Sequence, residues 1–125
     1  MAKQAFSSPN APSPAAKYSP AVRKGNMLQI SGQVGFDPSG TLVGDSVDAQ
    51  TRQAFANVST LLAEAGASID DVLMLRVYLT DPGHFAEMNA AFAEYVTEPF
   101  PARTTVYTGL NPGILVEIDA LAVLD

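Results

Sequence analysis

The chain has 125 residues, 47% hydrophobic and 16% charged, with a net charge of −6, which fits one globular domain rather than a disordered chain. Seven Lys and Arg against thirteen Asp and Glu, with Arg23-Lys24 the one adjacent basic pair, offer no basic stripe of the kind a nucleic-acid surface needs. Zero cysteines remove disulfides, thiolate metal sites and cysteine nucleophiles, and no apolar run reaches the length of a bilayer span, so neither nucleic acid nor membrane is an expected partner and the cytoplasm is the default location.

Residues 1–20 hold Pro9, Pro12, Pro14 and Pro20 among Ala and Ser. Proline removes backbone donors and fixes φ, so an irregular arm is expected, extended over residues 1–16 and without the apolar core of a signal peptide. Residues 27–31 read as a strand continued by 32–36 with a bend at the glycines. Asp37-Pro38-Ser39-Gly40 is a turn signal, with residues 41–43 as the returning strand. Asp45 or Ser46 caps a first helix that runs to about residue 65, and Gly66 stops it. Thr51, Phe55, Val58, Leu62 and Ala65 form its apolar stripe. Residues 72–79 alternate as a central strand, Leu73, Leu75, Val77 and Leu79 toward the helices and Met74, Arg76 and Tyr78 away. Pro82 opens a second helix with Phe85, Met88, Phe92 and Tyr95 on its buried stripe. Strands at residues 103–107 and 115–123 follow, joined through the Asn111-Pro112-Gly113 turn. The order βββ-α-β-α-ββ predicts a single α/β domain, a mixed sheet with both helices on one face.

After Arg52 only Arg76 and Arg103 remain as strong cations. Arg103 leaves a Pro99-Phe100-Pro101 turn into a β-branched run, and Glu117 stands on the last strand. The pattern predicts Arg76, Arg103, Thr105, Glu117 and Asp119 on the sheet's open face, with Tyr107 in phase with Arg103. Such a half-polar face is suited to burial against another subunit. An arginine beside a glutamate is either a cross-strand ion pair or a carboxylate-holding site, and the residues alone leave both open. Arg76 reads as an ion-pair partner for Glu117 or Asp119, Asp119 as a rim or subunit-contact residue, and His84 as a solvated helix residue.

Taken in order, Gly25-Asn26-Met27 with Ser31-Gly32-Gln33, Gln53-Ala54-Phe55-Ala56-Asn57-Val58, Asn89-Ala90-Ala91-Phe92, Phe100-Pro101-Ala102-Arg103-Thr104 and Val116-Glu117-Ile118-Asp119-Ala120 resemble the Rid family (reactive intermediate deaminases, YjgF-type) from about Tyr18 to Val123. The resemblance implies a chorismate-mutase-like fold, a homotrimer with sites in clefts between subunits, and no cofactor or metal. It implies cofactor-free hydrolysis of 2-imino and enamine acids such as 2-aminoacrylate to 2-keto acids and ammonia. By position, Arg103 matches the arginine that holds the substrate carboxylate and Glu117 the glutamate that positions water. Tyr18 matches the tyrosine closing the pocket, Ser31, Gly32 and Asn89 match other cleft positions, and Thr105 replaces a cysteine. Ala16-Lys17 before Tyr18 and short connections on either side of Arg103 depart from the family pattern and bear on substrate preference. Two other functions remain open: a non-catalytic binder of small keto acids, and a client-binding, chaperone-like surface.

Overall fold

The computed structural model describes residues 2–125. Its six strands are β1 (Gln4–Phe6), β2 (Ala21–Lys24), β3 (Met27–Val34), β4 (Val72–Leu79), β5 (Ala102–Tyr107) and β6 (Val116–Val123), and its two helices are α1 (Val47–Glu64) and α2 (Phe85–Phe92). The strands form one sheet in the order β1-β2-β3-β6-β4-β5. Every pairing is antiparallel except β4 with β5, which run parallel with α2 in the crossover. Both helices lie on one face, as the alternation predicts, and α1 packs across β3 and β6. No helix of the described residues is long and apolar enough to cross a membrane.

Local chemistry accounts for the helix bounds. Ser46 accepts a hydrogen bond from the Ala49 amide at 3.0 Å, capping α1. Gly66 ends it at φ +79°, a left-handed conformation that favours glycine. Thr51, Phe55, Val58, Leu62 and Ala65 are all buried, as their spacing requires. Ile30, Leu75, Val77, Ile118 and Ala120 meet them from the sheet.

Three sequence expectations are corrected. The arm is not irregular throughout, because Gln4–Phe6 pairs with Ala21–Lys24 to extend the sheet past β3. Both are short strands beside prolines, and their pairing is a tertiary fact that local pattern does not carry. The return strand at residues 41–43 is reduced to one bridge, Phe36 to Leu42. The chain instead turns on Asp37, whose carboxylate accepts from the Ser39 and Thr41 amides. Leu73 is 57% exposed rather than helix-covered, because the β4–β6 register shifts between Val72 and Met74. The bulge places Val72 inward and Leu73 outward.

Two polar residues on the buried side of α1 shape the region beyond the strand ends. Gln50, fully buried, donates to the carbonyls of Gly44 and Gly113 at 2.8 and 2.9 Å and accepts from the Leu115 amide at 2.8 Å. Asn57 donates to the carbonyls of Val34 and Phe36 at 3.1 and 2.9 Å. These bonds satisfy backbone groups that the irregular loops leave unpaired. They fix the 35–44 and 111–115 segments against the helix.

Candidate functional site

Those two segments, the arm and the ends of β3 and β6 enclose a cavity of about 460 Å³. Its walls include Pro12, Pro14, Tyr18, Gly32, Phe36 and Glu117. Tyr18 is 51% exposed and so is no packing anchor; its ring lines the cavity. The arm's prolines, read from sequence only as punctuation, form part of the same wall.

Glu117 is the one Asp or Glu on this wall. Burial raises its pKa, and the neighbouring Asp119 charge adds to the shift. Tyr78 stands opposite it on β4. Asp119, two residues on, is occupied: Arg76 Nε donates to Oδ1 at 2.8 Å and the Tyr78 hydroxyl to Oδ2 at 2.9 Å. Arg76 therefore pairs with Asp119, one of the two partners expected, and Asp119 is buried rather than a rim residue. The Arg76 side chain is half exposed, so the pair contributes modestly to stability. Among the described residues it leaves Glu117 without a cation of its own.

Ser31 and Gly32 form a bulge in β3. Ile30 pairs with Ala120 and Gln33 with Ile118, so two residues stand opposite Asp119. Ser31 Oγ donates to the Ser19 carbonyl at 2.6 Å, and its amide donates to the Pro20 carbonyl at 2.9 Å. Ser31 thus ties the bulge to the base of the arm that carries Tyr18.

Arg103 lies elsewhere. In the parallel β4–β5 register Leu75 pairs with Arg103 and Val77 with Thr105, so Arg103, Thr105 and Tyr107 share the helix side of the sheet. Thr104 and Val106 take the open side with Arg76 and Tyr78. The expected convergence of Arg103 and Thr105 with Glu117 on one open face is therefore overturned. Arg103 turns toward α2, where Nη1 donates to Asn89 Oδ1 at 2.8 Å. Its guanidinium carbon stands 4.8 Å from the Phe92 ring centroid and 5.6 Å from that of Phe85.

Of the candidate residues, the structure gathers Tyr18, Gly32 and Glu117 around one cavity with Ser31 at its edge. It gathers Arg103 and Asn89 at the outer edge of the sheet, with Thr105 on the same side of β5. Phe85 and Phe92 were read only as core, although both fall on Asn89's face at i−4 and i+3, a signal that an aromatic pair flanks the polar position. His84 is partly exposed, yet its Nδ1 is buried and has no hydrogen-bond partner among the described residues.

A two-layer α/β domain with a carboxylate-lined cavity and a separately held arginine matches known proteins over nearly its whole length. A family model described as endoribonuclease L-PSP matches residues 8–124. A RutC family protein of Pyrococcus horikoshii is 42% identical over 122 residues, covering 96% of this chain and 97% of the relative. A Dermatophagoides farinae protein named 2-iminobutanoate/2-iminopropanoate deaminase is 32% identical over 125 residues, covering 98% of each. The crystal structure of RidA from an Antarctic Psychrobacter superposes with a TM-score of 0.92 at 38% identity, covering 97% of this chain and 99% of that one. The chain belongs to the YjgF/RutC/Rid superfamily.

Proposed function

We propose that this protein hydrolyses 2-imino acids, the tautomers of enamines such as 2-aminoacrylate, to 2-keto acids and ammonia. In this reading it acts without cofactor or metal, in clefts between the subunits of a homotrimer. The observation that carries the proposal is the half-buried Glu117 carboxylate in a cavity with no cation of its own, while Arg103 waits on the other side of the sheet. Two half-sites on opposite faces of one chain are what a cleft shared by neighbouring copies requires. The deaminase name of the mite relative supports the reaction class.

Arg103 pairs bidentately with the substrate carboxylate, fixing the imine carbon in place. Glu117 takes a proton from a water as its oxygen bonds to that carbon and the C=N pair moves to nitrogen. Glu117 returns that proton to nitrogen, giving a carbinolamine, then carries the hydroxyl proton to the same nitrogen as the C–N bond breaks and C=O forms, and ammonia leaves. A carboxylate with a raised pKa suits a base that must also return its proton. The name of the family model refers to RNA cleavage, but a chain of net charge −6 has no basic stripe to track a phosphate backbone.

The test is ammonia and keto-acid release from imines generated by an amino-acid oxidase, with wild type beside Arg103→Ala. Wild type is expected to exceed buffer clearly and Arg103→Ala to lose at least about 100-fold in kcat/KM. Equal rates for both, at the buffer level, would sink the proposal. A second reading is a non-catalytic binder of small keto acids, favoured by Arg103 being held ready by Asn89 and two rings. Keto-acid binding without imine turnover selects it.

A further inference from the structure

Resting on the deaminase reading of the same site, the bulge in β3 has a consequence for Glu117. The Oε2 atom of Glu117 lies 2.6 Å from the point where a Cβ on Gly32 would stand, and Cδ and Cγ lie 2.8 and 3.1 Å from it. No real Cβ tolerates such contacts, so the carboxylate rests against a Cα that only glycine leaves bare. We propose that Gly32 is a positioning residue for Glu117: its missing side chain is the seat that turns the carboxylate into the cavity.

The bulge makes this seat. Without the extra residue, Gln33 and Val34 would exchange faces. With it, Gln33 is buried on the helix side and its side-chain Nε2 donates to the Ser31 carbonyl at 3.1 Å, closing the bulge on itself. Val34 then pairs with Glu117, and Gly32 is brought against the same side chain. Ser31 holds the base of the arm at Ser19 and Pro20. One two-residue irregularity thus sets both the Glu117 carboxylate and the start of the Tyr18 arm. The other groups facing Glu117 are Asp119 on its own strand and Tyr78 on β4; β3 presents Val34 and Gly32, which carry no charge. No hydrogen bond among the described residues fixes the carboxylate, so its orientation rests on shape.

Gly32→Ala is expected to push the carboxylate out toward solvent while the fold stays, because the clash is with the free end of a flexible side chain. The imine assay should show kcat lowered about 100-fold or more, with KM and the affinity for 2-oxobutanoate changed less than about threefold. Glu117→Gln should cost far less in the Gly32→Ala background than in wild type, since the two residues act as a unit. Equal costs in the two backgrounds, or an unchanged kcat in Gly32→Ala, overturn the proposal.

Two further measurements stand whether or not imines are turned over. In a ¹³C-carboxyl NMR titration, Gly32→Ala should bring the Glu117 midpoint down toward the ordinary carboxylate value; an unmoved midpoint overturns the seat. Should Gly32→Ala melt low, adding Glu117→Ala must restore the melting temperature to that of Glu117→Ala alone. If instead Gly32→Ala destabilises both backgrounds equally, the new methyl group strikes something other than Glu117 and the proposal falls.

Discussion

Arg103 and Glu117 are prepared in opposite ways. The guanidinium is gripped: Asn89 takes Nη1, and the Phe92 and Phe85 rings lie beside it. Among the described residues only Nη1 is engaged, which leaves the Nε and Nη2 edge for a carboxylate. Removing one ring should therefore weaken capture more than chemistry. Phe92→Leu keeps an apolar side chain of similar bulk, and a cation–π contact of about 1–2 kcal/mol corresponds to a KM rise of about 5- to 30-fold. In steady-state kinetics kcat should stay within about threefold of wild type; a fall in kcat with KM unchanged would show that the ring serves the chemical step instead. Glu117 is held by shape and partial burial, and its raised pKa has a sign that can be tested. The folded state binds this proton more tightly than the unfolded chain does. The stability this group contributes is therefore whole below the ordinary carboxylate pKa and is lost as pH rises through the higher folded value. Glu117→Gln mimics the protonated form, so at pH 7 it should melt no lower than wild type, with a gain on the order of a few degrees at most. Calorimetry near pH 4, where wild type carries the proton too, should show the difference gone. The activity profile moves with the same group: kcat/KM falls on the acid side at a pH above that of an ordinary glutamate.

At the scale of elements, the cavity depends on helix α1 as much as on the strands beside it. Gln50 bonds three backbone groups in two different loops, whose other residues Gly40, Asn111 and Ile114 line the cavity. Gln50→Leu keeps the volume but leaves those groups unpaired in the interior, at about 1 kcal/mol or more for each. A loss of about 2–4 kcal/mol is expected in urea unfolding at fixed protein concentration. If the loss is below 1 kcal/mol, water replaces the glutamine and the loops do not depend on it. The α1 stripe was legible in the sequence because its period is local: Phe55, Val58 and Leu62 announce their face without reference to any other segment. The alternation of β6 was legible for the same reason, and Ile118 and Ala120 are buried where the pattern puts them. The side of β5 that carries Arg103 was not legible. It is set by pairing with β4, some 28 positions earlier, and a register slip of one residue inverts every side chain. Leu73 was misplaced by the same kind of event, a single bulged residue that changes phase. The edge strand β1 and its neighbour β2 were invisible because each is only three or four residues beside prolines. Family resemblance named the candidate residues, and only the register showed which of them meet.

At the scale of the whole molecule, the proposed deaminase needs Arg103 and Glu117 at one substrate, and their opposite faces would make oligomerisation a condition of that chemistry rather than an accessory to it. In the proposed trimer each cleft takes Arg103 from one subunit and Glu117 from its neighbour. The open face that carries Glu117 also exposes Met27 at 54%, Leu73 at 57% and Val106 at 40%, apolar surface that a neighbouring copy would cover. This division of labour has a numerical signature. Arg103→Ala and Glu117→Gln chains should each be inactive alone, since every cleft would lack one half. When equal amounts are unfolded together and reassembled at random, a cleft is whole if its arginine donor carries Glu117→Gln and its glutamate donor carries Arg103→Ala. Each condition holds half the time, so about a quarter of the clefts, and about a quarter of the wild-type rate, should return. If both residues served one cleft from the same chain, no mixing could restore any activity, because every chain would remain defective. Mixing without unfolding should return nothing at first and then rise as subunits exchange, so the time course reports how long the trimer lasts. A quarter recovered after reassembly, against none from either parent, would establish that the catalytic unit is the interface and that the single chain holds only its two halves.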